Sequence, residues 1–240
     1  MEHGGHGPLP VAYNVNLQAD PARPRAGEPA TLRLAVTEQA VGEPLTDFEL
    51  LHDRLMHLIA VDRTLSYFAH VHPALNNGVF ELQHAFPEPG SYKLWAEARP
   101  RGAASILAAF RLEVGGTAAS QAPDNKPPGY RFELDHGGEL TQHSATRLVF
   151  RVFRDEQPVT DLEPLMAAGG HCVVISEDLR DFVHVHPEHD VEPAWRGGPE
   201  VAFQTAFHRP GGYAVWAQFQ HAGEVLTAAF RLHVAPVGGH

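Results

Sequence analysis

The sequence MHLIAVDRTLSYFAHVHP, from Met56 to Pro73, returns later in the chain as GHCVVISEDLRDFVHVHP, from Gly170 to Pro187. Each copy carries one histidine near its start and a His-x-His-Pro motif at its end. The chain is therefore an internal duplication. If each copy is a β-hairpin, its three imidazoles lie on one face, and this spacing is typical of metal ligands.

The similarity extends over both halves of the chain. PLTD at residues 44–47 matches PVTD at 158–161, and PGSYKLW at 89–95 matches PGGYAVW at 210–216. A stretch of small, polar, Pro and Gly residues separates the halves and has the composition of a linker. The predicted organisation is β-sandwich repeat 1 over 8–115, a linker over 116–128 and β-sandwich repeat 2 over 129–236.

Composition and pattern favour an all-β fold. Twenty prolines, 22 glycines and short apolar runs indicate strands joined by turns, whereas long segments with a 3.6-residue period are hard to find. About 100 residues of this kind in each half predict two tandem immunoglobulin-like β-sandwich domains. In the first half the predicted strands lie near residues 13–19, 31–37, 57–62, 67–72, 79–86, 91–98 and 106–114.

The Pro-Gly-x-Tyr-x-x-Trp element occurs once in each half. A turn followed by tyrosine at the start of a late strand resembles the tyrosine corner of immunoglobulin-like domains. We therefore expect structural roles for Tyr92 and Tyr213, and we expect Trp95 and Trp216 to fill the cores.

Several function classes are disfavoured by composition. The formal net charge is −11 and there is no run of Lys or Arg, so nucleic acid is not an expected partner. No apolar stretch is long enough for a membrane span, and the start of the sequence lacks the features of a signal peptide. The start of the sequence is interpreted either as a natural flexible segment or as the beginning of a mature secreted chain with an added Met. A single cysteine excludes an internal disulfide.

Strand geometry brings the three histidines of each copy together. Opposed residues of an antiparallel pair have a constant index sum, which is about 129 for a hairpin that turns near residues 63–66. His57 then lies opposite His72, and His70 lies one diagonal step away. These separations allow three ring nitrogens to reach one ion. The predicted ligands in the two copies are His57, His70, His72, His171, His184 and His186.

Three imidazoles leave an open coordination position on the ion. Imidazole suits Cu(II), Zn(II) and Ni(II), and Cu(II) binds tightest in the divalent series, so copper is the expected ion and zinc the alternative. Met56 and Cys172 adjoin predicted ligands but point to the opposite face if they lie in strands. Further donors left open by the sequence are Met166, His189, His3 and His6.

The comparison between copies separates these histidines from the rest. Seven of the seventeen positions from His57 to Pro73 are identical in the second copy, and three of the seven are histidines. A histidine at a strand end can also simply bond to the backbone. The retained triad favours ligation over that structural role.

On the motifs FAHVHP at 68–73 and DFVHVHP at 181–187, with His57 and His171 before them, the chain resembles bacterial extracytoplasmic β-sandwich proteins of the YtkA-like type. The resemblance implies an immunoglobulin-like fold, a periplasmic or cell-surface location if a signal peptide has been removed, and copper binding by the six histidines. It also implies a partner such as a membrane metal transporter or another extracytoplasmic protein, without insertion into the membrane.

Three functions are compatible with these observations. The first is a non-enzymatic metal-binding protein for transport, buffering or resistance. The second is a histidine-metal enzyme, which needs a nearby acid; Asp47 and Asp161 are the shared loop acids, and a turn role suits them better. The third is a protein-interaction module whose histidines only brace a hairpin. The sequence favours the first and predicts that the protein is not an enzyme.

Overall fold

The computed structural model describes residues 12–117, 128–185, 187–188 and 191–237. Within these ranges the regular elements are β-strands, and there is no helix long and apolar enough to cross a membrane. The chain forms two compact units, which correspond to the two repeats. The predicted all-β fold with two tandem β-sandwiches is confirmed. Most of the predicted linker lies outside the described residues.

Unit 1 contains all seven strands predicted from the sequence, together with two short ones, β3 and β6. The strands are β1 (Tyr13–Asp20), β2 (Pro29–Glu38), β3 (Phe48–Glu49), β4 (Met56–Asp62), β5 (Phe68–Val71), β6 (Ala74–Asn76), β7 (Val79–Ala85), β8 (Gly90–Pro100) and β9 (Ile106–Val114). One sheet has the order β1-β2-β7-β6. The other has the order β3-β8-β4-β5, with β9 also paired to β8.

The two sheets of unit 1 enclose an apolar core. Leu34 of β2 and Phe80 of β7 pack in one cluster with Leu58 of β4 and Leu94 of β8, and all four side chains are fully buried. Because side chains alternate along a strand, Leu58 points into this core and His57 points to the other side of the sheet. We call that side, which also carries His70, the histidine face.

Unit 2 repeats this architecture. Its strands are β10 (Tyr130–Asp135), β11 (Leu140–Thr141), β12 (Ala145–Arg154), β13 (Gln157–Pro158), β14 (His171–Ser176), β15 (Phe182–Val185), β16 (Glu200–Ala206), β17 (Gly211–His221) and β18 (Glu224–Ala235). One sheet has the order β10-β12-β13, with β16 also paired to β12, and the other has the order β11-β18-β17-β14-β15. Leu148, Phe150 and Phe203 pack against Val174 and Val215 in the core.

The tyrosine corner predicted from the sequence is present in both units. The Tyr92 hydroxyl donates to the carbonyl oxygen of Glu88 (2.8 Å), and the Tyr213 hydroxyl lies 2.9 Å from the carbonyl oxygen of Arg209. Gly90 precedes the corner of unit 1 and has φ 140°. Residues with a Cβ rarely adopt this backbone conformation. The corner therefore explains the repeated Pro-Gly-x-Tyr element.

The expected position of the two tryptophans is wrong. Trp95 and Trp216 are buried, but they do not belong to the sandwich cores. Leu94 and Ala96 occupy the core positions on β8, so alternation turns Trp95 to the histidine face. There it lies across from Ile59.

The hairpins that carry the histidines have the predicted register. Ile59 pairs with His70 and Leu58 with Val71 between β4 and β5. Val173 pairs with His184 and Cys172 with Val185 between β14 and β15. The constant-sum rule thus holds in both units.

Candidate metal centre

The three predicted histidines of repeat 1 converge on the histidine face of unit 1. His57 Nδ1 is 2.8 Å from His70 Nε2 and 3.2 Å from His72 Nε2, and the two Nε2 atoms are 3.3 Å apart. His57 is fully buried, whereas His70 and His72 are half-buried. One nitrogen of each ring therefore points at the same small volume.

The size of this nitrogen triangle suits a transition metal. A circle through the three atoms has a radius of about 1.8 Å, so an ion at bond lengths of about 2.0–2.1 Å would lie about 1 Å above their plane. The three nitrogens would then take three corners of a distorted tetrahedron and leave the fourth position open. This histidine cluster could hold a metal ion, and His57 and His70 belong to a group whose ligand atoms are close enough to do so.

A tight turn orients His57. Leu51 and Arg54 form a pair of backbone hydrogen bonds (2.8 and 3.0 Å), and His52 and Asp53 between them have φ 46° and 59°, as in a type I′ turn. The carbonyl oxygen of Leu51 lies 2.8 Å from His57 Nε2. Because a carbonyl can only accept, His57 donates its proton there and leaves Nδ1 as the acceptor.

The electrostatics of His57 favour the neutral ring. Burial lowers its pKa from 6.5 to about 4; the bond to Leu51 opposes this shift, His70 and His52 add to it, and the charge of Glu97 opposes it. His57 is therefore uncharged near neutral pH, with a lone pair on Nδ1. In the metal-free protein this nitrogen accepts a hydrogen bond from His70 Nε2. A neutral imidazole is also the form that ligates metals.

Repeat 2 shows the same construction over its described residues. His171 is buried, and its Nε2 lies 3.0 Å from the carbonyl oxygen of Leu165, which begins an equivalent tight turn. The His171 and His184 rings are 5.6 Å apart at 38°, close to the 5.1 Å and 36° of His57 and His70. The third predicted ligand, His186, lies outside the described residues.

The soft donors next to the histidines face away from them. Met56 and Cys172 are buried in the sandwich cores of their units, and burial strongly raises the pKa of the Cys172 thiol. Both therefore point to the side opposite the histidine face, as strand alternation predicts. His3, His6 and His189 lie outside the described residues.

The two acids shared by the halves make contacts elsewhere. Asp47 accepts a hydrogen bond from Arg101 Nε (2.7 Å), and Asp161 lies 3.0 Å from His221 Nε2. Asp47 thereby links its loop to the end of β8, and Asp161 links its loop to the end of β17. This agrees with the structural role expected for these acids.

Two residues beside the cluster of repeat 1 were missed by sequence reasoning. The His52 ring lies 6.1 Å from the His57 ring, and Glu97 of β8 pairs directly across from His57 of β4. His52 occupies a turn position with positive φ, and the sequence around His52 does not predict that turn. Glu97 could have been found only by aligning β8 with β4 in the correct register.

Comparisons with known proteins identify a family. A family model described as "Domain of unknown function (DUF8832)" matches the chain twice, over residues 11–116 and 125–236. No curated protein matches.

Solved structures resemble the chain only distantly. A mutant of Salmonella alpha-2-macroglobulin is 13% identical, with a TM-score of 0.31 over 96% of this chain and 15% of that one. Red sea bream transglutaminase is 12% identical, with a TM-score of 0.27 over 98% and 32%. A bacterial ice-binding adhesin is 11% identical, with a TM-score of 0.29 over 96% and 66%. The chain thus spans only 15% of the length of the macroglobulin.

Proposed function

The chain belongs to the DUF8832 family, and we propose that it is a metal-binding protein that holds copper, with zinc as the alternative, in a histidine site in each repeat. The observation that carries this proposal is the convergence of His57 Nδ1, His70 Nε2 and His72 Nε2 within 3.3 Å of one another. Hydrogen bonding alone does not require three rings to aim one nitrogen each at a common point.

The hydrogen bonds that orient the buried histidines support the same function. Ligating histidines usually donate their other ring N–H to a backbone carbonyl or carboxylate, which fixes the tautomer. Leu51 accepts from His57 in this way, and Leu165 lies at the equivalent place beside His171. Two copies of one ancestral hairpin have thus kept the buried histidine, its carbonyl partner and the ring that faces it.

Copper is proposed on the chemistry of the donors. An all-imidazole set suits both Cu(II) and Zn(II), and Cu(II) binds more tightly. The resemblance to YtkA-like proteins supports a role in copper transport, buffering or resistance outside the cytoplasm, with a membrane metal transporter or another extracytoplasmic protein as the partner. An open fourth position would let such a partner take the ion by ligand exchange.

Titration of the full chain tests the proposal. The protein is stripped of metal with a chelator, and Cu(II) and Zn(II) binding is followed by calorimetry, with electron paramagnetic resonance to detect nitrogen ligands on Cu(II). We expect about two ions per chain. His70→Ala and His184→Ala should each remove the binding of one ion, and the double variant should remove both.

The matched control is His233→Ala, which deletes an exposed imidazole from β18. It should bind as the wild type does. Far-ultraviolet circular dichroism of each variant shows that the fold is retained. The proposal fails if the wild type binds neither ion, or if the double variant binds both as tightly as the wild type does.

A further inference from the structure

The residue across the sheet from the buried histidine differs between the repeats. Glu97 of β8 pairs with His57 of β4, whereas Gln218 of β17 pairs with His171 of β14. Directly opposed residues point to the same face, with Cβ atoms about 5 Å apart. Repeat 1 therefore has a carboxylate beside its histidine cluster, where repeat 2 has an uncharged amide.

A second difference lies in the tight turn that orients this histidine. His52 (φ 46°) follows Leu51 in repeat 1, and Met166 (φ 51°) follows Leu165 in repeat 2. Both side chains are half-buried. Repeat 1 thus presents an imidazole where repeat 2 presents a thioether, which is a softer donor and suits Cu(I).

We infer that Glu97 makes repeat 1 selective for a divalent ion, and that repeat 2, with Gln218 in its place, discriminates less against the monovalent cuprous ion. The inference rests on the proposed function. The attraction between a carboxylate and an ion is proportional to the charge of the ion, so Glu97 stabilises M(II) twice as strongly as M(I) at the same distance. An amide carries no net charge, so its effect on either ion is much weaker.

The position of Glu97 places its charge beside the cluster, directly across the sheet from His57. Glu97 is half-buried, which weakens screening by water. The negative charge of Glu97 also acts on His57, where it raises the pKa against the effect of burial.

The test measures two ions of different charge on the full chain. In a His171→Ala background, which removes the buried ligand of repeat 2 and leaves repeat 1 as the reporter, Glu97→Gln should lower Zn(II) affinity by about 10- to 100-fold, as for other groups just outside the ligands of metal sites. Cu(I), measured anaerobically by competition with a chromophoric chelator, should lose clearly less affinity. This difference between ions is the decisive readout, because a merely structural defect would weaken both equally.

The reciprocal change and a matched control complete the design. In a His72→Ala background, which removes a predicted ligand of repeat 1 and leaves repeat 2 as the reporter, Gln218→Glu should raise Zn(II) affinity more than Cu(I) affinity. The control Glu113→Gln removes the same charge from an exposed position of β9 that pairs with Ser91 rather than with the cluster. It should leave both affinities unchanged.

The outcomes separate the inference from the proposed function. If the wild type binds neither ion, the proposed function fails and the inference falls with it. If the wild type binds and His70→Ala removes the site of repeat 1, the function stands. In that case an unchanged Zn(II) affinity in Glu97→Gln, or an equal loss for both ions, overturns the inference alone.

Discussion

His57 serves both the fold and the candidate metal site. It is fully buried and bonded to the carbonyl oxygen of Leu51, whereas its neighbour His70 is half-buried on the last strand of the sheet. Removing His57 leaves a cavity and takes one of two donors from the buried Leu51 carbonyl, which keeps only the N–H of Arg54. Removing His70 exposes little apolar surface.

The two substitutions should therefore differ in stability although both remove a ligand. In metal-free protein we expect His57→Ala to lower the free energy of unfolding by about 2–4 kcal/mol and His70→Ala by less than about 1 kcal/mol. Urea denaturation with a chelator present measures both values. Equal losses would show that His57 has no structural role of its own.

A second histidine of unit 1 gives the stability a pH dependence that involves no metal. His84 Nε2 lies 2.7 Å from the Tyr67 hydroxyl, and burial lowers the pKa of His84 below 6.5. The unfolded chain therefore takes up this proton at a higher pH than the folded chain does. The contribution is complete above about pH 6.5 and is lost as the pH falls toward the lower folded-state pKa.

We expect His84→Gln to make the stability of the metal-free protein less dependent on pH below about 6.5. Gln keeps a polar group near Tyr67 but does not titrate. The measurement is urea denaturation at a series of pH values, and the quantity compared is the slope of unfolding free energy against pH. An equal slope in wild type and variant would contradict the prediction.

The histidines of repeat 1 could be predicted because their geometry is local. A single turn fixes the register of β4 and β5, so the sequence alone places His57 near His70 and His72. Glu97 could not be predicted in the same way, because its place depends on the pairing of β4 with a strand much later in the chain. The prediction for Trp95 and Trp216 was wrong because apolar side chains are buried on both faces of the strands that carry them. A large apolar residue in such a strand does not indicate which face packs in the sandwich core.

At the scale of elements, the tyrosine corners should contribute measurably to both sandwiches. Tyr92 donates to the Glu88 carbonyl, and the Tyr213 hydroxyl lies 2.9 Å from both the Arg209 carbonyl and Asp181 Oδ2. Burial raises the pKa of Tyr213 to about 12, and the bond to Asp181 adds to this rise. Both tyrosines therefore remain protonated donors at neutral pH.

We expect Tyr92→Phe and Tyr213→Phe each to lower the free energy of unfolding by about 1–2 kcal/mol, with the larger loss for Tyr213 because the single hydroxyl proton of Tyr213 lies within reach of a charged acceptor, Asp181. Chemical denaturation provides the measurement. The control Tyr13→Phe removes a hydroxyl from a half-buried position of β1 and should cost less. Corner variants that are no less stable than this control would rule out the proposed contribution.

The strands themselves were largely predictable, and the exceptions have a physical reason. The seven strands predicted in repeat 1 are long enough to show alternation and are bounded by turn residues. The missed elements, Phe48–Glu49 and Ala74–Asn76, are two and three residues long. Such segments carry no periodic signal, and only a partner strand defines them.

For the whole molecule, the duplication separates what the scaffold requires from what each site adds. Both units keep the tyrosine corner, the tight turn and the buried histidine with its carbonyl partner. They differ at Glu97 and Gln218, which pair across the sheet from the buried histidine, and at His52 and Met166, which occupy the same position of the tight turn. This pattern agrees with the proposal of two metal sites that share one geometry and differ in the ion they prefer.

Metal binding should couple to the stability of the whole chain. An ion that binds only the folded state adds about 2.7 kcal/mol at a free concentration 100 times its dissociation constant, which raises the melting temperature by several degrees. We expect this shift with Zn(II) and none with Mg(II), because Mg(II) prefers oxygen ligands to imidazole. In the double variant His70→Ala, His184→Ala the Zn(II) shift should vanish. Differential scanning calorimetry on metal-stripped protein measures it, and a Zn(II) shift of unchanged size in the double variant would place the ion away from both histidine clusters.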